Sequence, residues 1–305
     1  MRLLDGLYRW PRLLLVLSAI FWAANIIAAR LAVDQISPLT LVFARWVIVL
    51  GILWPIYGRH VRMQWPQVRH QMLSIVLMAL LGFTGFNALY YYAAYYATAV
   101  DLSILQGALP IFVLAGAFLA HRTMPSALQV VGAFITFLGV LLVAAHGNPL
   151  AVLNLHFNRG ALAMIAASMC YAFYTVALRD RPSMDGTAFF TLLALIAAAS
   201  SIPLIGIEAV TTGLWMPTVQ GLLVTAFIAI FPSFVAQIFY MRAVDLVGPG
   251  RAGIYLNLVP VLAAVFAIVL LHERFAGFHA LALALVIGGI WLAERQPMRG
   301  AKARR

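Results

Sequence analysis

The sequence has little charge, one cysteine and one lysine. Only 10% of its 305 residues are Asp, Glu, Lys or Arg, against roughly 25% in a soluble globular domain. With 64% of residues hydrophobic and a mean hydropathy of +0.98, the chain cannot cover itself with a polar surface. That excludes a soluble enzyme and a disordered protein. The single cysteine, Cys170, lies inside an apolar run. No intramolecular disulfide and no cysteine-based metal motif can form, which excludes an extracellular disulfide scaffold. Lys302 is the only lysine, so the Gly-x-x-x-x-Gly-Lys phosphate loop is missing and ATP-driven transport by this chain alone is excluded. His272-Glu273 has Ala276 where a zinc protease needs a second histidine. Neither a metal nor a cofactor is expected.

What is present is apolar length. Ten segments stand out, at 13–33, 38–57, 71–93, 98–120, 127–145, 159–179, 187–207, 217–240, 250–271 and 278–295. Each is long enough to span a bilayer as a helix, and a helix satisfies its own backbone groups in lipid. The fold class expected is therefore an all-α polytopic membrane protein with ten transmembrane helices. The first segment, with its basic start and trailing small residues, also fits a signal peptide. An uncleaved helix is preferred, because it completes the repeat described below.

The net charge of +11 would suggest nucleic acid on a soluble protein. Here it sorts by topology. In the ten-span arrangement sixteen of the twenty basic residues fall on one side, in the N-terminus, alternate loops and tail. Only Arg30, Arg159 and Arg274 fall on the other. Basic residues stay in the cytoplasm. Both termini are thus expected in the cytoplasm of a bacterial inner-membrane protein, whose partners are the lipid bilayer and a small-molecule substrate, with no nucleic acid.

The two halves of the chain are similar. At an offset of 150, Pro110 falls on Pro260, Gly139 on Gly289, Ala93 on Ala243, Tyr90 on Tyr240 and Asn87 on Gln237. Near the start of each half the offset is 149, pairing Trp22 with Tyr171 and Arg30 with Arg179. The division is residues 1–146 as a first five-helix repeat, 147–158 as a connecting loop, 159–296 as a second repeat and 297–305 as a basic cytoplasmic tail. Five is odd, so the second copy enters the membrane from the opposite side. That is an inverted-topology repeat, an architecture of secondary transporters.

Leu258-Val259-Pro260, then Glu273-Arg274, then Gly288-Gly289 resemble the second-half signature of the EamA family in the drug/metabolite transporter superfamily. Leu109-Pro110 and Gly139 are its weaker first-half copy. Arg45 is similar to the family's first-half arginine, and Trp22-Ala23-Ala24-Asn25 to its Trp-Gly-x-Asn opening. Two positions depart from the pattern: Thr123 stands where Glu is frequent, and Ala23 where Gly is usual. The resemblance implies ten helices, alternating access to a central cavity, and movement, usually export, of small metabolites such as amino acids, the aromatic ones included.

Polar residues within spans are costly and therefore informative. Span 3 carries Thr84, Asn87 and Tyr91 on one helical face. Span 8 repeats the pattern with Ser233, Gln237 and Tyr240. Span 4 adds Ser103 and Gln106, span 9 Asn257, span 1 Trp22 and Asn25, and span 6 Tyr171 and Tyr174. These residues either line a shared cavity or hydrogen-bond helix to helix. Gly82 and Gly85 in span 3, Pro232 in span 8, and the pair Pro110 and Pro260 mark hinges or static kinks. Small-residue stripes at Ala99, Ser103 and Gly107 and at Ala280, Ala284 and Gly288 suit packing within a monomer better than a homodimer. Trp10, Trp54, Trp65, Trp215 and Trp291 lie near span ends and read as interfacial anchors.

All nine acids and seven histidines fall in loops or near span ends. Proton relays need titratable groups within the membrane, so uniport, or coupling without a buried carboxylate, is expected; Asp101 is the one acid that could stand as an exception. Arg45 is the one charge well inside a span. It is available to contact a substrate carboxylate, to bind a helix end, or to snorkel outward. The alternatives to a transporter are an integral-membrane lipid-modifying enzyme and a channel-like membrane protein.

Overall fold

A computed structural model describes residues 10–122, 124–144, 147–148, 158–211, 213, 216–247, 255 and 258–295. Among them are helices and no strand. Asn257, Trp215, Thr123, the Gly248-Pro249-Gly250 turn, most of the connecting loop and the tail 297–305 lie outside the described residues.

The helices are α1 (Pro11–Leu31), α2 (Pro38–Val68), α3 (Met72–Ala79), α4 (Phe86–Tyr96), α5 (Ala99–Leu105), α6 (Leu109–His121) and α7 (Ala127–Ala144). They continue with α8 (Arg159–Ala177), α9 (Gly186–Thr211), α10 (Val219–Ile228), α11 (Ala236–Val247), α12 (Leu258–Leu271) and α13 (Gly277–Glu294). Polar caps set where the apolar runs start. Asn158 accepts from Gly160 N, Thr218 from Gly221 N, and Thr98 with Asp101 forms a capping box on α5. Each satisfies backbone donors that no preceding turn can bond. Pro11, Pro38 and Pro110 occupy first turns, where a missing N–H costs nothing.

Two interruptions matter. Between α3 and α4 the helix widens into a π-helical segment, Leu80–Gly85, and between α10 and α11 into a second, Ala229–Val235. Both lie where hinges were expected, at Gly82, Gly85 and Pro232. The mechanism is a π-turn rather than a proline kink alone, since Gly82 and Gly85 widen the helix without proline. Between α5 and α6 a 3-10 turn covers Gln106–Ala108, so Pro110 starts a new helix instead of bending an old one. Pro260 likewise sits in the first turn of α12.

α2 is longer than the apolar segment that predicts it, running on to Val68 through Arg59, His60 and Arg62. Charge marks where a helix leaves the apolar phase, not where its hydrogen bonds stop. A 3-10 turn at Arg69–Gln71 then reverses the chain. The rings of Trp46 and Phe83 meet at 4.9 Å, so α2 and the α3–α4 helix form an antiparallel hairpin.

Among the described residues six helical runs are long and apolar enough to cross a membrane, among them Pro38–Tyr96, which this hairpin folds back on itself. Ala127–Val143, Leu258–Leu271 and Gly277–Ala293 are shorter apolar helices. α1 packs on α11 and α12, and α8 on α4 and α6; α2 packs on α9 and α7 on α13. The α7–α13 contact is backbone to backbone. A methyl added at Gly132 would lie 2.4 Å from Gly289 O, and one at Gly139 2.7 Å from Ala282 O. This corrects the expected stripe on α13. Ala280, Ala284 and Gly288 face outward, and Gly288 has nothing within 4 Å of an added methyl. The buried stripe is Ala282, Val286 and Gly289 instead. On the other partner, Gly107 does meet Val286.

Contacts group the loops into two ends. At the end where α1 finishes, here called distal, Thr218 N donates to Gln35 O and Asn158 Nδ2 to Tyr96 O. At the proximal end Asp185 N donates to Gln64 Oε1. Trp10, Trp54, Trp65 and Trp291 are exposed, as an anchoring role requires.

Candidate functional site

Arg45 lies on the face of α2 that meets α4. It is only 8% exposed, so it does not snorkel. Its Nη1 donates to Asn87 Oδ1 at 2.5 Å and to Tyr91 OH at 2.6 Å. Tyr91 OH in turn donates to Asn25 Oδ1 on α1, at 3.3 Å. The guanidinium sits 5.0 Å from the ring centre of Trp46, within cation–π range. Asn87 is locked from its other end by donating Nδ2 to Phe83 O, a carbonyl of the π-segment. That orients its oxygen toward Arg45.

The cluster has donors to spare. Arg45 Nε, Trp46 Nε1 and Tyr90 OH are buried without a hydrogen-bond partner. Among the described residues no carboxylate forms an ion pair with Arg45. Unpaired buried charge is expensive, and orphaned buried donors are rare. The arrangement is chemically suited to an acceptor of negative charge.

Around it runs an aromatic wall. Tyr174 meets Phe83 edge-on at 5.2 Å and Tyr171 meets Phe86 at 4.9 Å. Gly82 is required here. A methyl on it would lie 2.5 Å from Tyr174 Cγ, so only glycine lets the π-segment reach α8. Across α1, Trp22 donates Nε1 to Pro232 O in the second π-segment and meets Tyr240 at 5.2 Å with the rings tilted by 59°. Thr84 bonds Ser200 on α9 at 2.7 Å.

The predicted residues therefore divide. Arg45, Asn87, Tyr91 and Asn25 form one connected set. Thr84, Tyr171, Tyr174, Trp22 and Tyr240 border it through rings and helix contacts. Ser103 and Ser233 spend their hydroxyls on carbonyls of their own helices, Val100 O and Ile228 O. Gln106 and Gln237 are half-buried and do not join the Arg45 set. Of the tyrosine run, Tyr90 and Tyr91 are buried while Tyr92 and Tyr96 are exposed. A shallow cleft of about 210 Å³ between α2 and α9, lined by Trp54, Val61, Arg62, Trp65, Leu192 and Leu195, lies away from this cluster.

One family model matches the chain twice, over residues 9–145 and 158–294, and its description is EamA-like transporter family. The chain belongs to that family. It is accordingly a multi-pass membrane protein of a transporter family, built from two EamA repeats. It is 24% identical to the uncharacterized transporter YyaM of Bacillus subtilis, over 90% of each chain. An uncharacterized transporter of Archaeoglobus fulgidus is 27% identical over 92% of this chain and 96% of that one. The uncharacterized inner membrane transporter YicL of Salmonella typhimurium is 23% identical over 98% and 99%. A solved crystal structure superimposes with a TM-score of 0.59 over 93% of this chain and 96% of that one, at 19% identity, which shows the fold.

In this EamA chain the acids carry more structure than their positions near helix ends suggest. Glu208, at the end of α9, is buried and accepts from Ser37 Oγ, Leu39 N, Thr40 N and Thr40 Oγ1. It caps α2 from another helix. Glu273 does the same for α5, accepting from Ala99 N at 2.9 Å and Val100 N at 3.0 Å, with Arg30 Nε 3.9 Å away. Asp101 is buried against His279. Sequence reading leaves Glu208 and His279 out because their partners lie on other helices. The signal that could have found them is a lone ionisable residue at the rim of an apolar span.

Proposed function

We propose that the protein is a ten-helix secondary transporter of the inner membrane that moves small carboxylate-bearing metabolites, amino acids above all, by alternating access. The single observation that carries the reading is Arg45, a buried cation with no carboxylate partner among the described residues, beside donors left unsatisfied. In water a carboxylate competes with solvent for such donors. In a dry site the charged hydrogen bonds are worth more, about 1.5–3 kcal/mol each. The tyrosine and phenylalanine rings beside them suit an apolar or aromatic side chain on the same solute.

Symmetry supports alternating access. Packing exchanges under the offset of 150. α1 rests on α11 and α12 as α8 rests on α4 and α6. Gly132 meets Gly289 while Gly139 meets Ala282, and each contact is the other's image. The two π-segments correspond as well. A pseudo-two-fold between repeats of five spans gives two equivalent end states, closed at opposite ends. The arginine distribution assigns the proximal end, with both termini, to the cytoplasm.

Counterflow through proteoliposomes tests the reading. Saturable, trans-stimulated flux of labelled amino acids supports a carrier. Unsaturable flux would make it a channel, and chemical conversion of lipid or solute an enzyme.

A further inference from the structure

Asp101 and His279 face each other near the distal end, in the first turns of α5 and α13. Asp101 is 4% and His279 7% exposed, and Nε2 lies 3.2 Å from Oδ1. The proton between them is fixed by their outer partners. His279 Nδ1 accepts from Ala276 N at 3.1 Å. A ring nitrogen that accepts carries no proton, so the imidazole is neutral and its Nε2–H donates to Asp101. The other carboxylate oxygen accepts from Thr98 N at 3.4 Å. Every polar position is satisfied with one proton on the pair.

A second proton weakens the junction wherever it lands. On Nδ1 it meets the Ala276 N–H, two donors face to face. On the carboxylate it removes the negative charge that accepts from Thr98 N and Nε2–H. Either choice loosens a helix cap or the bond that joins α5 to α13.

The neighbours make that junction part of a closure. Arg30 on α1 donates to Ala94 O on α4 and lies 3.9 Å from Glu273. Glu273 holds the start of α5. His272 and Arg274 flank it and are exposed, as is Arg159 at the start of α8. α4 brings Tyr95 and Tyr96 to this end, and α7 brings no ionic side chain within its described helix. Arg30 lies beside Glu273, so the carboxylate of Asp101 is held by hydrogen bonds from His279 and Thr98.

We propose that Asp101 and His279 form a proton-binding site that latches the distal end shut with one proton and releases it on taking a second from the aqueous phase at that end. When the latch parts and hydrates, Nδ1 and the carboxylate give up these fixed partners to water, and the second proton no longer costs a bond. The open form then binds one proton more than the closed form. Acid at the distal face therefore favours opening, by up to about tenfold in population per pH unit over the range where the extra proton is taken up. The assignment of this end as a gate rests on the transporter reading above; the proton site itself does not.

The test uses the full chain in nanodiscs, with Cys170 replaced by alanine and spin labels at Tyr96 and Phe275, both exposed at the distal end. Pulsed-dipolar distances are taken between pH 8 and 5. The expected result is a second, longer distance that grows in as the pH falls, with a one-proton slope, and its loss in His279→Gln, whose amide cannot take a proton. Asp101→Asn, which removes the carboxylate, is expected to raise the longer distance at every pH. A wild-type distribution constant from pH 8 to 5 overturns the proposal, as does an unchanged pH response in a folded His279→Gln. If His279→Gln does not fold, the wild-type titration and Asp101→Asn decide alone. Neither readout needs a substrate, so a pH-driven distal opening without amino-acid flux keeps the latch and discards the transport reading.

Discussion

Arg45 Nη1 lies 2.5 Å from Asn87 Oδ1, and Asn87 is itself held by Phe83 O in the π-segment. The buried cation of α2 is thus positioned by the widened segment between α3 and α4. A shift of the π-segment moves Asn87 and with it the orientation of the guanidinium, which ties solute binding to helix geometry.

Removing the charge separates binding from folding. Arg45→Gln keeps a donor for Asn87 and Tyr91 but loses the cation. Loss of one charged hydrogen bond, about 1.5–3 kcal/mol, raises KM for an amino acid about 10- to 150-fold. Arg45→Lys keeps the charge without the planar fork and falls between. Initial-rate flux against concentration measures both.

Gly82 and Tyr174 are predicted to couple. Gly82→Ala puts a methyl against the Tyr174 ring, and overpacking of this kind costs about 1–3 kcal/mol. Tyr174→Ala vacates the space, so the double variant is more stable than the sum of the single changes. Thermal unfolding in detergent reads the difference.

Neighbouring glycines on α13 are predicted to behave oppositely. A methyl at Gly289 would lie 2.3 Å from Thr136 Oγ1 and 2.5 Å from Gly132 O, so Gly289→Ala forces α7 and α13 apart and lowers the yield of folded protein. Gly288→Ala meets nothing within 4 Å and leaves yield unchanged or improved, since alanine is the better helix former. Size-exclusion profiles of the two variants decide it.

Glu208→Ala removes the acceptor of four hydrogen bonds from Ser37, Leu39 and Thr40 and leaves the partly buried start of α2 uncapped. A cost of about 2 kcal/mol or more follows from the lost cap and unsatisfied donors. Glu208→Gln keeps part of the bonding and costs less. Thermal unfolding of the pair gives the ranking.

The apolar helices were legible as long hydrophobic runs, several of them opened by a proline or a polar capping residue. The helix starts at Pro38, Ala127, Arg159 and Gly277 fall within a residue of the apolar boundaries. The overshoot of α2 was not legible, because hydropathy reports the surrounding phase and not the hydrogen-bond ladder. The Thr84, Asn87 and Tyr91 face followed from helical periodicity. What joins it to Arg45 did not, since 42 residues separate Arg45 from Asn87 and only the hairpin turn brings them together. His279 is 178 residues from Asp101, and no local pattern encodes that meeting. The choice of Ala284 and Gly288 as the packing stripe failed because one helix offers small residues on two faces, and only the partner decides which is used.

The central claim is that Arg45 recognises a carboxylate carried through the membrane. Its most direct test is counterflow of a labelled amino acid against an excess of either the unlabelled amino acid or its carboxamide, in wild-type and Arg45→Gln proteoliposomes. The account predicts that the wild type exchanges with the carboxylate and not with the amide, and that Arg45→Gln loses this preference. Equal exchange with both solutes in the wild type, or an undiminished preference in Arg45→Gln, would contradict it.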